Sequence, residues 1–385
     1  MIYFDHNAST PVRPEVSDAM REALASGGAN PSSTHREGQR ARAMIEEARA
    51  RVAALVNASP AEVVFTSGGT EGDHLALMGG AWAMRERGRR VAISSLEHHA
   101  VHGAAAWLGE LGFAVDHLPA LASGMTDPAA VDALPEGVTV VSLMLANNET
   151  GALQPVADAA QRTHARGMRL HCDAVQAAGK VRVDVAALDV DYLVISAHKL
   201  SGPKGAGAVI VRRGAPLAPL LRGSGHEHGR RCGTENLPGI VGFGAAAELA
   251  LRELDHENAR LRALRERFES GLKALDPAIV VHAAAAPRLP NTVNASFPGA
   301  RSDHLLMALD AEGVAVSAGA ACASGAVEPS PVLAAMGVPR EIAVCAVRFS
   351  MGRTTTDDEV AAVLAALGRA VPRARALGTP AGTSA

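Results

Sequence analysis

Two apolar rhythms alternate along residues 14–255. Short runs rich in Val, Ile and Leu read as strands: "EVVFTS", "RRVAISS", "VTVVSLMLA", "MRLHCDA", "DYLVISA" and "GAVIVRR". Between most of them lie longer stretches with apolar residues three and four apart, which read as helices: "TEGDHLALMGGAWAMRERG", "HHAVHGAAAWLGELG" and "PVADAAQRTHARG". This alternation predicts an α/β fold around a mainly parallel sheet, with ligands expected at the polar or glycine-rich corners where strand gives way to helix. A charged, leucine-rich segment near 240–275 reads as a long helix leaving this layer. Beyond it, "AIVVHA", "NTVNASFP" and "CAVRFSMG" read as strands and "DHLLMALDAEG" and "TDDEVAAVLAALGRAV" as helices, the last opened by a capping box from Thr356 to Glu359. A second, smaller α+β domain is expected there, ending in a small polar tail over 376–385 that is expected to be disordered.

Composition narrows the partners more than the fold. With 37 Lys and Arg against 40 Asp and Glu, the chain lacks the positive surface that nucleic acid or an acidic membrane calls for. The arginines of "REGQRARAMIEEARARV" are interleaved with glutamates, the pattern of an exposed helix face. No run approaches the roughly 18 apolar residues of a membrane span. "MIYFDHNASTP" also lacks the basic start and apolar core of an export signal. The four cysteines, Cys172, Cys232, Cys322 and Cys345, form no C-x-x-C pair. That argues against a disulfide framework or a standard zinc site, and it fits a reducing, cytoplasmic setting.

Several short stretches carry candidate chemistry. In "ISAHKLSGPKGAGAVIV", Lys199 follows an apolar strand and precedes a glycine-rich turn, so it is a surface charge, a phosphate contact or an amine held against a ligand. "FTSGGTEGDHLAL" sets Gly69 and Thr70 at a helix start, with Thr70 to Asp73 resembling a cap; free N–H groups there suit a phosphate. Asp173, at the end of "MRLHCDA", is a helix cap or the counter-charge of a buried cation such as a pyridinium. The histidine groups His98, His99, His102 and His226, His228 raise a metal reading, but neither matches H-E-x-x-H. Cys322 lies among small residues in "SAGAACASGAVEPS" and reads as an exposed thiol, whereas Cys172 and Cys345 sit in apolar strands and read as core. Arg348, alternating with apolar neighbours in "CAVRFSMG", needs a carboxylate, either a structural partner or a substrate.

These parts converge on a site for pyridoxal 5'-phosphate (PLP). The motifs "YFDHNASTP", "NPSSTHREG", "FTSGGTEGD", "LEHHAV", "NNETG", "CDAVQAAGK", "SAHKLSGPKG", "GRRCGTEN", "SAGAACASG" and "VRFSMGR" follow one another over roughly residues 3–360. In that order the chain resembles cysteine desulfurases of the NifS/IscS type, within the class V aminotransferase group of fold type I PLP enzymes. The resemblance implies a large PLP-binding domain over 14–255 with a seven-stranded sheet, and a small domain from 1–13 and 256–375 carrying the cysteine loop. It implies that Lys199 holds PLP covalently, Asp173 pairs with the ring nitrogen, and Gln176 and Asn148 bond near the ring hydroxyl. His98 would lie on the ring and shuttle protons. Gly69, Thr70, Ser196 and His198 would hold the phosphate, joined by Thr234 from a second subunit of a homodimer. Arg348 and Asn30 would bind the carboxylate of L-cysteine, and Cys322 would receive its sulfur as a persulfide. That sulfur would pass to an acceptor or iron–sulfur scaffold protein, with Cys322 as a transient cluster ligand and no intrinsic metal.

Departures from the family pattern bear on partners more than on chemistry. "SAGAAC" stands where the family has serines, His74 and His6 replace more usual residues, and the tail lacks an apolar end. Other PLP chemistry, such as a selenocysteine lyase or an aminotransferase, is the first alternative. An iron–sulfur carrier and a zinc hydrolase are the others.

Overall fold

A computed structural model describes residues 1–26, 29–318 and 328–378. A short strand β1 (Ile2–Tyr3) opens the chain, and seven strands build the main sheet. They are β2 (Val63–Thr66), β3 (Arg90–Ser94), β4 (Ala114–Leu118), β5 (Val138–Ser142), β6 (Arg169–Asp173), β7 (Tyr192–Ser196) and β8 (Gly207–Val211). Their order across the sheet is β2-β8-β7-β6-β5-β3-β4, parallel except for the pairings of β8 with both neighbours. Six of these strands follow the apolar runs of the sequence. The seventh, β4 ("AVDHL"), escapes because an edge strand is half exposed and carries polar side chains.

Helices cover both faces of the sheet. One core gathers Phe65, Leu170, Leu193 and Ile195 against helices 36–55 and 237–275, and another packs Ile93 and Val140 against the helices 69–83 and 99–110. Strands β5 and β7 are buried along their whole length and β6 from Leu170 onward, the condition for a parallel sheet sandwiched between helices.

The helix Leu237–Leu275 runs 39 residues and belongs to two cores. Its first half packs Ile240 and Phe243 against the sheet, and its second half packs Leu261, Leu264 and Phe268 into a separate cluster with Phe297, Phe349 and Leu367. Phe4 joins that second cluster, so the first residues of the chain pack with the last third. There β9 (Val280–Val281), β10 (Thr292–Ser296) and β12 (Ala346–Ser350) form an antiparallel sheet in the order β12-β10-β9, while β11 (Val314–Ala315) pairs with β1.

The capping box at the last helix forms as its sequence predicts. Thr356 N–H donates to Glu359 and Glu359 N–H to the Thr356 hydroxyl, at 3.1 and 3.2 Å. That helix continues to Gly378, three residues into the expected tail, because buried Val371 and Ala374 anchor its last turns to the second core. The remaining tail residues lie outside the described residues.

Candidate active site

The strand ends of β6 and β7 and the start of the helix Gly69–Ala83 enclose a cavity of about 250 Å³. Lys199 enters from the turn after β7, Asp173 from the end of β6, and His98 from the cap position of the helix His99–Glu110. Gly69, Thr70, Asn148, Gln176, Ser196 and His198 complete the predicted set on its wall. The corner between strand and helix therefore gathers residues separated by more than a hundred positions in sequence.

Electrostatics set the character of each group. Burial, aided by Arg348, pushes the Lys199 amine down to about 8, while Asp173 and Asp5 oppose. Its Nζ donates to the carbonyls of Asn7 and Ala8 at 2.6 and 2.9 Å. Burial raises the Asp173 carboxyl, against His98, the Val175 N–H and Lys199. Burial likewise lowers the His98 imidazole and holds His198 down to about 4, which keeps both rings neutral at pH 7.

Thr70 is not the helix cap that its spacing with Asp73 predicts. The cap position is Gly68, without a side-chain bond, and Asp73 is buried on the inner face of the helix. The carboxylate of Glu71 instead accepts from Ser67 N–H at 2.7 Å and pairs with Arg231. The first bond of this turn runs from Gly72 N–H to the Gly68 carbonyl, so the N–H groups of Gly69 and Thr70 keep no partner within the helix.

Arg348 lies on the wall of a second cavity of about 360 Å³, which shares His98 and Asn148 with the first. Its guanidinium reaches Asp5 at 2.8 Å and the Asn148 carbonyl at 3.1 Å, while Nε is buried without a partner among the described residues. The structural salt bridge and a free donor edge thus coexist in one side chain. Glu149 also lines this cavity; burial raises its carboxyl to about 7, and it accepts from the Ser330 hydroxyl.

Two predicted residues stand apart. Asn30 is exposed and its side chain accepts from Ser32 N–H, and Thr234 is exposed on the loop before the long helix. Neither lines the two cavities. Cys322 lies outside the described residues.

The sequence reading missed Asn7, which is buried and acts as a hub. Its backbone carbonyl accepts from Lys199 and Gln176, its side-chain oxygen from Lys180 and Asn291, and its side-chain NH2 donates to Thr292 and the Asn148 carbonyl. Lys180 also donates to the Gln176 oxygen at 2.7 Å, which turns the Gln176 amide. The buried carboxyls Asp73 and Glu97 were missed too, although Glu97 sits beside His98 in "LEHHAV".

The comparisons with known proteins now have a geometry to meet. The sequence profile described as Aminotransferase class-V matches residues 2–363. The chain belongs to the class V aminotransferase family. Among curated relatives of this family, the cysteine desulfurase IscS of Dictyoglomus turgidum is 40% identical over 98% of this chain and 96% of its own length. A solved NifS-like protein superposes with a TM-score of 0.89 at 36% identity, covering 96% of this chain and 98% of its own. A structure described as SspA in complex with cysteine follows at 0.80 and 31%, covering 91% and 99%. This class V aminotransferase chain has the fold type I architecture of PLP enzymes, depends on PLP, and is a cysteine desulfurase by activity.

The cavity fits that cofactor on observations of its own. The Ser196 hydroxyl is buried beside the helix start with no partner among the described residues, a donor available to a phosphate. A Cβ at Gly69 would stand 3.0 Å from a Val175 methyl, so any larger residue there presses into this cradle. Asp173 presents a buried carboxyl to the same cavity without a cation bonded to it, which suits a protonated ring nitrogen.

Proposed function

We propose that this desulfurase works through Lys199, His98, Asp173, Arg348 and Cys322, and that its sulfur leaves as a persulfide on Cys322. The observation that carries the reading is the pair of joined cavities: one holds Lys199 and Asp173, the other holds Arg348, and His98 lines both. PLP, when bound, supplies a carbonyl that a primary amine can join and a ring that takes up electrons from the substrate's α-carbon.

The chain's own groups do the rest. The N–H groups at Gly69 and Thr70, with Ser196 and His198, would hold the phosphate, and Asp173 would keep the ring nitrogen protonated. Gln176 and Asn148 would serve the ring hydroxyl. Lys199, neutral in a large fraction near pH 8, would hold the cofactor through its amine and take the substrate's α-proton. His98, neutral through burial, would cover the ring and could carry protons. Arg348 meets the cysteine carboxylate with its unpartnered edge. The Cys322 thiolate then attacks the substrate sulfur. An S–S bond forms as the C–S bond breaks, the carbon takes a proton, and alanine leaves.

The described residues on either side of the Cys322 segment support this assignment. Ala318 and Pro331, which flank that segment in sequence, both line the second cavity. Thr234, exposed and on the wall of neither cavity of its own chain, would complete the phosphate site of a second copy in a homodimer. The large domain is taken as 14–255 and the small one as 1–13 with 256–375. The setting proposed is the cytoplasm, and the acceptor an iron–sulfur scaffold or another sulfur-carrying protein. With L-cysteine and a reductant, alanine and sulfide are expected in equal amounts. Cys322→Ser is expected to keep the cofactor's absorbance and lose sulfide; pyruvate and ammonia as products would overturn the reading.

A further inference from the structure

Four buried side chains run beneath the sheet edge from one cavity to the other. Asp73 lines the cofactor cavity and Glu97 lines the substrate cavity. Between them, His171 on β6 and Ser142 on β5 are both fully buried. His171 Nδ1 and the Ser142 hydroxyl are 2.9 Å apart, and that hydroxyl is 3.2 Å from Glu97 Oε1, which also accepts from Met144 N–H at 2.9 Å. At the other end, His171 Nε2 and Asp73 Oδ1 lie 3.4 Å apart, and among the described residues each lacks any other partner. Two buried polar atoms whose sole available partner is each other are strongly driven to close that gap.

Counting protons shows what the arrangement permits. A neutral imidazole carries one N–H, and a hydroxyl donates once. In one state Asp73 is protonated and donates to Nε2, Nδ1–H donates to Ser142, and Ser142 donates to Glu97. In the other, Glu97 is protonated and donates to Ser142, Ser142 donates to Nδ1, and Nε2–H donates to ionised Asp73. Passing from the first to the second breaks the Asp73 O–H, His171 Nδ1–H and Ser142 O–H bonds. It forms His171 Nε2–H, a new Ser142 O–H and Glu97 O–H. One proton moves from Asp73 to Glu97 and one negative charge moves back, with no other reactant. The unpartnered Oε2 of Glu97 stands at the substrate end of the chain.

We propose that Asp73, His171, Ser142 and Glu97 form a proton relay between the two cavities, letting the charge beneath the cofactor follow events beside the substrate. These are positioning residues, and the proposal rests on the cofactor reading above. The charged group that acts on both ends of the relay is Asp173 on β6, and His98 at the neighbouring helix cap and Lys199 act in turn on Asp173. Burial, then Asp173, then Glu97 raise Asp73 and favour the proton at the cofactor end before a protonated ring nitrogen is bound; burial and Asp173 raise Glu97 to about 8, so the first state, with Glu97 ionised, is reached above that pH. Burial keeps His171 down to about 3, hence neutral and able to pass a proton rather than store one. A protonated ring nitrogen at Asp173 favours ionised Asp73 and drives the relay to its second state.

The tautomer of His171 reads the relay directly. The chain labelled with 15N-histidine is followed by NMR above pH 8, where Glu97 is ionised, without cofactor and after adding PLP, with the His171 signals assigned by their loss in His171→Gln. The expected result is a shift of the ring proton from Nδ1 to Nε2 as PLP binds. Glu97→Gln cannot take the proton and Ser142→Ala breaks the path, so both are expected to bind PLP yet keep the Nδ1–H form. PLP absorbance that appears without any tautomer shift in the unsubstituted chain, or a shift that persists in either variant, overturns the relay alone. Failure of PLP to bind the unsubstituted chain overturns the cofactor reading together with it.

Discussion

Ser196→Ala separates a cofactor contact from a structural one. The Ser196 hydroxyl is buried and has no partner among the described residues, so its removal costs the cofactor-free protein no hydrogen bond. Eliminating a buried unsatisfied hydroxyl removes a penalty of about 1–3 kcal/mol, and the apo variant is expected to be as stable as the parent or more so. In the proposed site the same hydroxyl would donate to the PLP phosphate, and a hydrogen bond to a charged group is worth about 1.5–3 kcal/mol. PLP affinity is therefore expected to fall about 10- to 150-fold, since each 1.4 kcal/mol is a factor of ten. Absorbance titration of apo protein gives the affinity, and urea unfolding of the same preparations gives the stability. An affinity within about twofold of the parent would refute the phosphate assignment. A loss of apo stability of about 1 kcal/mol or more would instead show that Ser196 has a structural partner.

Two pH dependences follow from the buried groups. Lys199 is held down to about 8, so the rate at which apo protein attaches PLP is expected to rise about tenfold per pH unit below 8 and level off above it. A rate still climbing at pH 10 would place the amine in solvent. Burial raises Glu97 and Glu149 from 4.5 to about 8 and about 7, which means the folded chain binds protons that the unfolded chain releases. The stability tied to them is full below pH 4.5 and is lost as pH rises through 7 and 8. Glu97→Gln and Glu149→Gln are expected to flatten this decline in urea midpoints, and profiles parallel to that of the parent would refute it.

How much of the protein was legible depended on what each residue had to satisfy. The buried strands β2, β3, β5, β6, β7 and β8 announced themselves because a strand covered on both faces must be apolar throughout. Lys199 and Asp173 were legible because each follows an apolar strand, where a polar residue needs a reason, and His98 because it stands in a tight group with His99 and His102. Asn7 was not. It is a small polar residue in an N-terminal stretch, and its meaning arises from partners at 148, 180, 199, 291 and 292 that no local pattern predicts. Ser142 and His171 left a fainter signal, two fully buried polar residues next to apolar neighbours in strands that also carry Thr139, Arg169 and Asp173. Their connection needed the β5–β6 pairing, which sets Ser142 opposite His171. Thr70 misled in the opposite direction: its spacing with Asp73 looked like a cap, but tertiary burial took Asp73 inward.

The bond between Asp5 and Arg348 joins residues 343 positions apart, and Asn7 closes the floor of the site from the same end of the chain. At synthesis rates of 5–20 residues per second, about 17–70 s separate the emergence of these two halves from the ribosome. The large sheet can fold in that interval, but its catalytic floor cannot. The substrate cavity is therefore completed only near the end of synthesis, after every residue proposed to hold the cofactor has emerged.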